Sequence, residues 1–464
     1  MIKKILDSRL PVLVYNPTRT FDRAYFDAIA AAGALPVFDT EFFPLEERRS
    51  ILGELAGAGY LFGLRIHVGD TELINTLRER HLPTLNLIVF SYRESRELEA
   101  FRFAGTEYRH VLEVTDMEIN HLIDPVEPQG LIVRGFEAPG RNAKTTSFIL
   151  MQWYLGNTER AVIVHGGVGW HTAAGLFAAG VSAVALDDQL WLTDECPLAP
   201  QYKETVSTLS ENDSVEIGET LGAGYRFFAK LGTRIVKTLS QKESTLFGSP
   251  DAAALLYNEI ASHMVPLSLA PESAVQSLFF CGQDGVFARH FVKKSTSVRD
   301  VLPEFYKNAG AMLSLVDRHD PLHRDSPLAR EHGTALPIVQ GPMANVSDSP
   351  AFAAQVHQAG ALPFIAMGSL PAALIDPVLG RTKELIPAFG AGLIGIETFN
   401  KTIKNHLDLV KKHGVPLALF AGGIPSQVNE LEALGIKTYL HTPAEKMLKN
   451  AIEQGNRRFI LEGT

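Results

Sequence analysis

The sequence predicts an α/β chain: a TIM-type (β/α)8 barrel over residues 1–200, a helical connector over 201–335, and a second barrel over 336–464 that stops after six strands. Three observations lead there. Apolar, β-rich runs alternate with amphipathic segments of helical length before residue 200. The alternation then loosens, and from Leu336 a fresh start repeats stretches of the first part.

The strand-like runs lie at residues 12–15, 35–38, 60–66, 84–90, 110–114, 130–133, 161–165 and 182–186. Segments such as 21–32 and 93–104 between them have helical length and patterning. Unbroken apolar runs of this size suit parallel strands covered on both faces. Eight such units in under 200 residues favour a closed barrel over an open doubly wound sheet. No Gly-x-Gly-x-x-Gly follows the first strand, so the argument for a dinucleotide fold is missing. In the middle region, helical stretches at 275–280 and 300–308 sit among polar, proline-containing segments, and the His-, Asp- and Pro-rich run 317–327 reads as a linker.

The repeat is visible in two anchors. Ala32–Gly33–Ala34–Leu35–Pro36 recurs as Ala359–Gly360–Ala361–Leu362–Pro363, an offset of 327, and Leu131 to Phe136 matches Phe459 to Thr464 at an offset of 328. Nearly equal offsets argue for an internal duplication. The match sets Thr464 opposite Phe136, leaving the second copy without counterparts of Glu137 through Cys196. A barrel lacking its last two strands has two unpaired edges. The expectation is that the sequence is a fragment of a longer polypeptide.

Composition narrows the class. Apolar residues make up 46% and charged ones 20% of 464 residues, enough for large cores in two or three domains. A net charge of −9 argues against a nucleic-acid or anionic-membrane partner. Two cysteines, Cys196 and Cys281, make no disulfide framework and suggest a reducing compartment. The start MIKKILDSRLPV is interrupted by Asp7 and Arg9 and lacks a signal-peptide core, and no apolar run reaches membrane-spanning length, so a cytoplasmic protein is expected. Metal-ligand Cys/His spacing and a Gly-x-Ser-x-Gly elbow are both missing.

The candidate site is the stretch from Ala161 to Cys196: a strand, the turn Gly166–Gly167, a helix, and a strand ending in Asp187 and Asp188. A diglycine turn feeding a helix N-terminus lets backbone N–H groups approach an anion, and the last two units of a β/α barrel commonly build a phosphate site. His165 and His171 bracket the turn. His165, at a strand end, reads as a hydrogen-bonded structural residue, and His171 stays open as an acid–base group. A second diglycine, Ala421–Gly422–Gly423–Ile424, follows the fourth strand of the second copy, opposite Ser91, and is a weaker phosphate candidate. Asp187 and Asp188 have two readings: acids facing a phosphate pocket, or caps on the segment 189–192.

The order of motifs is similar to that of the nitronate monooxygenase (2-nitropropane dioxygenase-like) family of FMN-dependent barrels. Pro337–Ile338–Val339–Gln340–Gly341–Pro342–Met343 resembles its first strand, Gly135 to Arg141 its sixth-strand loop, Gly166–Gly167 its phosphate turn, and 227–237 its segment after the last strand. LDDQLWL and PIVQGPM…VSD look like the tandem, enoyl-reductase-like barrels at the N-terminus of giant polyketide or fatty-acid synthases. The resemblance implies FMN, NAD(P)H as electron donor, a small-molecule or carrier-bound acyl substrate, and downstream synthase domains as partners.

Carried over by position, Gln340, Gly341, Pro342 and Met343 would lie against the flavin ring, where the first copy has Asn16 and Pro17. Gly166 and Gly167 would hold the phosphate, beside Asp187 and Asp188 where the family has Gly-Thr. Two carboxylates repel a phosphate dianion, which places the better FMN site in the second copy. Arg141 stands where the family has a catalytic histidine; a guanidinium is no base at neutral pH, so Arg141 and His171 are the catalytic candidates of a reductase-type reaction. Two alternatives stand beside this reading: a non-catalytic tandem-barrel scaffold or docking module, and a stand-alone nitronate monooxygenase.

Overall fold

Val12–Tyr15 (β1), Leu35–Asp39 (β2), Phe62–His67 (β3), Leu85–Ser91 (β4), His110–Val114 (β5) and Gly130–Arg134 (β6) pair in sequence order, all parallel. After the two-residue strand Gly140–Arg141 (β7), Ala161–His165 (β8) and Ala183–Leu186 (β9) complete the set, and β9 pairs with β1 to close the barrel. The computed structural model describes residues 5–103, 107–230, 232–368, 370–396 and 401–462.

Closure explains why the strands carry so few polar residues. Each inner face meets the other strands and each outer face meets helices, so both sides of the pleat are buried. Leu13, Val37, Val89, Val111, Ile132, Ile163 and Ala185 fill the interior as one cluster, while Tyr25, Phe26, Ile29 and their equivalents pack outside. The helix Arg23–Ala32 begins at Asp22, whose side chain accepts from the Tyr25 N–H, and ends at Gly33 with φ 95. That left-handed residue is one glycine adopts without strain.

Beyond the barrel, Ser214–Ile217 (β10), Tyr225–Phe228 (β11) and β7 form an antiparallel sheet in the order β10-β11-β7. Helices Arg234–Leu246 and Ala252–Ser262 accompany it, with Val236, Leu239, Leu256 and Ile260 in its core. The chain divides into two compact units, Met1–Leu315 and Val316–Thr464.

The second unit holds six parallel strands in sequence order: Val339–Gln340 (β12), Leu362–Ala366 (β13), Gly390–Ile394 (β14), Leu417–Ala421 (β15), Lys437–Thr442 (β16) and Phe459–Leu461 (β17). Their registers copy those of β1 to β6. Leu13 pairs with Leu35 as Val339 pairs with Leu362; Val37 with Gly63 as Phe364 with Gly390; Leu112 with Leu131 as Leu440 with Phe459. The helix-ending glycine recurs too, Gly360 having the same φ of 95 as Gly33. The duplication read from two short anchors therefore extends through six strands. Gly463 and Thr464, at the end of the second anchor, lie outside the described residues.

Candidate functional site at the barrel mouth

The period-two alternation of the strands decides which side chain ends each strand facing inward. Stepping two residues on from the interior cluster gives Tyr15, Asp39, Arg65, Ser91, Glu113, Arg134, His165 and Asp187, one from each of the eight strands or the residues just after them. Six of the eight are ionisable acids, bases or imidazoles, and they are wired together. Arg65 binds Glu113 through two bonds of 2.9 Å, Asp39 at 3.0 and 3.1 Å, and Glu41 at 2.7 Å. Arg134 binds Glu113 at 3.0 Å and donates from Nε to the Arg141 carbonyl at 3.0 Å. His165 stacks on Tyr15, centroids 5.1 Å apart, and its Nε2 lies 2.9 Å from Asp187 Oδ2.

Electrostatics follows from this wiring. Burial alone would raise the Glu113 pKa, but the Arg134 and Arg65 guanidiniums outweigh it and hold it down to about 2. Burial and then the Arg134 charge push the His165 pKa below the usual imidazole value, against the opposing pull of Asp187. The space left among Tyr15, Asn16, Asp39, Arg65, Arg134, His165 and Asp187 is about 30 Å³. That admits a water or two; ligand-sized sites start at about 300 Å³. A flavin ring has no room here.

The phosphate turn is also taken. Gly166 and Gly167 adopt φ 95 and 71, conformations that suit glycine. A Cβ on Gly166 would meet the Ala138 backbone nitrogen at 2.7 Å. Gly166→Ala should therefore cost more stability than Gly180→Ala, where φ is 103 but nothing lies within 4 Å; paired urea melts would show it. Into this turn reaches the Asp284 carboxyl, accepting from the Val168 N–H at 3.0 Å and from Gln189 Nε2 at 3.1 Å. Burial, and then the Asp187 charge set against the Val168 N–H, raise the Asp284 pKa to about 8. Asp187 Oδ1 accepts from the Asp188 N–H at 2.6 Å, and Asp188 Oδ2 accepts from the Gly282 N–H at 2.6 Å. Burial and the charges of Asp187 and Asp284 push the Asp188 pKa well up. An internal carboxyl thus stands on the amide cradle where a phosphate would sit, with two further acids behind it. The mouth of the first barrel does not fit FMN.

The predicted residues fall into separate places. Gly166, Gly167, Asp187 and Asp188 come together. His171 stands at the start of helix Thr172–Ala179, exposed, on the wall of a cavity beside the turn. The Arg141 side chain is engaged elsewhere: it lies over the Tyr92 ring at 4.4 Å and donates to Thr115 Oγ1 at 2.8 Å and to the Arg93 carbonyl at 3.1 Å, while its backbone pairs with β11. Gln340 to Met343 belong to the second unit. The Gly422–Gly423 turn follows β15, with Ala421 at the register of Ser91, and the Ile424 N–H is bound by Gln427 at 2.9 Å.

Sequence reasoning missed Arg65, Glu113, Arg134 and Asp284. The signal for the first three was a single charge inside each of FGLRIH, HVLEV and GLIVR. A lone charge in a doubly buried strand has to find a partner.

The same positions in the second unit are different. By register, Asp39, Glu41 and Arg65 correspond to Ala366, Gly368 and Gly392. Asn16 corresponds to Pro342, which packs so close that a Cβ on Gly392 would meet its Cβ at 2.2 Å. Met343 is 44% exposed. Glu113 and Arg134 correspond to His441 and Glu462, which pair at 3.0 Å with the acid on the opposite strand. Among the described residues no group of His, Cys, Asp and Glu could hold a metal ion, and no helix is long and apolar enough to cross a membrane.

Comparison of the sequence with protein-family models gives no match, and neither does comparison with curated proteins. Solved structures do match the fold. FabK from Thermotoga maritima superposes with a TM-score of 0.56 at 18% identity, over 68% of this chain and 97% of its own. The enoyl reductase domain of MlnA, from the macrolactin biosynthesis cluster of Bacillus amyloliquefaciens, gives 0.51 at 12% identity, over 67% and 97%. The chain shares its fold with an enoyl reductase domain.

Proposed function

We propose that the chain is an oxidoreductase module of the enoyl-reductase type, in which the second unit presents the flavin-facing strand and the first barrel is a structural element. The observation that carries this reading is the contrast at one register position: Arg65 fills the first mouth, whereas Gly392 leaves room for Pro342 in the second. Uncharged Ala366, Gly368 and Gly392 suit a flat, largely apolar ring, and Pro342 and Met343 would support it, with the Gln340 amide at its edge. The turn corresponding to Gly166–Gly167 follows a seventh strand, and the second unit has counterparts of the first six.

FMN, when bound, supplies hydride transfer. The chain's part is to seat the ring and keep charge away from it. An enoyl group on a carrier, NAD(P)H as donor, and service within a multidomain synthase complete the proposal; the MlnA domain that shares the fold is an enoyl reductase domain from a biosynthesis cluster.

The test is titration of the intact chain with FMN, followed by flavin fluorescence. Binding lost in Met343→Asp and unchanged in Asp284→Asn is expected. Binding that survives Met343→Asp and changes in Asp284→Asn would move the flavin to the first barrel; no binding at all would remove the flavin role from this chain.

A further inference from the structure

Beside the sealed mouth, the first unit contains a cavity of about 800 Å³ that the proposed function does not use. It opens between the loop after β8 and the segment from Gln283 to Lys294. Its body is apolar, walled by Trp170, Val286 and Phe287. Its rim is basic: His171, His290, Lys293 and Lys294 all line it. The size lies within the range of small-molecule sites, and mixed apolar walls with a few placed polar groups are their usual makeup.

Three details distinguish the cavity from a gap between helices. Trp170 is held rigidly, its ring 5.5 Å from Phe291 and 5.6 Å from Phe305, while its carbonyl accepts from Asn308 Nδ2 at 2.8 Å. Phe287, which also lines the cavity, is a large apolar ring left 43% exposed. Lys293 makes no ion pair among the described residues, and Lys294 has Glu304 at 2.8 Å.

The two acids that also line the cavity are hydrogen-bonded to the protein. Glu137 Oε2 is engaged by the Ser147 N–H at 2.9 Å, at the start of helix Ser147–Asn157, and Asp284 is engaged by Val168 and Gln189.

We propose that this cavity binds an amphipathic anion: an aliphatic or aromatic body between Trp170 and Phe287, with a carboxylate or phosphate head at Lys293, Lys294 and His290. The proposal is independent of where the flavin sits. It needs only the first unit's own walls.

Trp170 provides the readout. The intact chain would be titrated, below micellar concentrations, with dodecanoate, dodecyl phosphate and neutral methyl dodecanoate, following tryptophan fluorescence. Saturable binding of one or both anions is expected, tighter than that of the ester and weakened by added salt. Lys293→Ala/Lys294→Ala, at exposed positions, should weaken anion binding about fivefold or more and leave the ester unchanged. Phe287→Asp should weaken all three, and Trp170→Phe should remove the signal. A preference for dodecyl phosphate over dodecanoate would mark a phosphate-bearing ligand, and the reverse order a free acid; both support the proposal. No saturable signal from either anion, equal affinity for ester and anions, or indifference to the double lysine variant would overturn it.

Discussion

Arg65→Leu is expected to cost about 3–5 kcal/mol of unfolding free energy at pH 7, the largest loss from any single mouth residue. The side chain is 5% exposed and binds three carboxylates, Asp39, Glu41 and Glu113. Removing one partner of a buried ionic cluster leaves the others desolvated without compensation, which costs far more than the cluster's net contribution. Arg134 would remain as a guanidinium partner of Glu113. The sign of the pH dependence is a second check. Glu113, whose folded pKa is lowered to about 2, contributes stability that is present above the ordinary carboxyl value and lost as pH falls through about 2. In Arg65→Leu the Arg65 share of that depression is lost while Arg134 keeps its own, and protonation relieves the stranded acids. The gap between variant and parent should therefore shrink from pH 5 to pH 3. Urea melts at those pH values and at pH 7 measure it, and a gap constant with pH would detach the loss from the cluster's charge.

Asp284→Asn is expected to stabilise the chain, increasingly so as pH rises. Asparagine keeps an oxygen for the Val168 N–H and cannot ionise. The folded pKa of Asp284, raised to about 8, lies above its unfolded value, so its stabilising contribution is complete below the ordinary carboxyl range and is lost as pH rises toward about 8. The variant has no such loss. Its advantage should grow by up to about 1.4 kcal/mol per pH unit between pH 5 and pH 8 and level off above that. Denaturant midpoints at pH 5.5, 7 and 8.5 would show the widening. A variant less stable than the parent at all three would mean that a carboxylate is required on the turn.

These expectations concern residues that the sequence concealed, and the reason is physical. Strands such as Val12–Tyr15, His110–Val114 and Ala161–His165 are legible because both of their faces are buried and the run is unbroken. The repeat was legible at Gly33 and Gly360 because a left-handed helix end restricts the residue used. A strand's sequence says which residues share a face but not which strand's face lies opposite. Arg65 meets Glu113 only through closure of the barrel, and Asp284 reaches Val168 from a region with no periodic pattern. The short strands Ser214–Ile217 and Tyr225–Phe228 were hidden similarly, since part of their pairing is with the two residues Gly140–Arg141. Gly166 and Gly167 were found, but their conformation is the same whether the acceptor above them is a ligand or a side chain.

The reversed pairing at the fifth and sixth strands has a consequence for how the two copies can change. Glu113 faces Arg134 in one, His441 faces Glu462 in the other. Transferring the sixth strand alone from the second copy to the first would set glutamate against Glu113, and the opposite transfer would set arginine against His441. Like charges in contact disfavour the first hybrid, and the second leaves His441 without its acid partner. Sequence exchange between the repeats succeeds here only when both strands travel together, so the duplicated halves are insulated from homogenising each other one strand at a time, and each mouth is free to diverge.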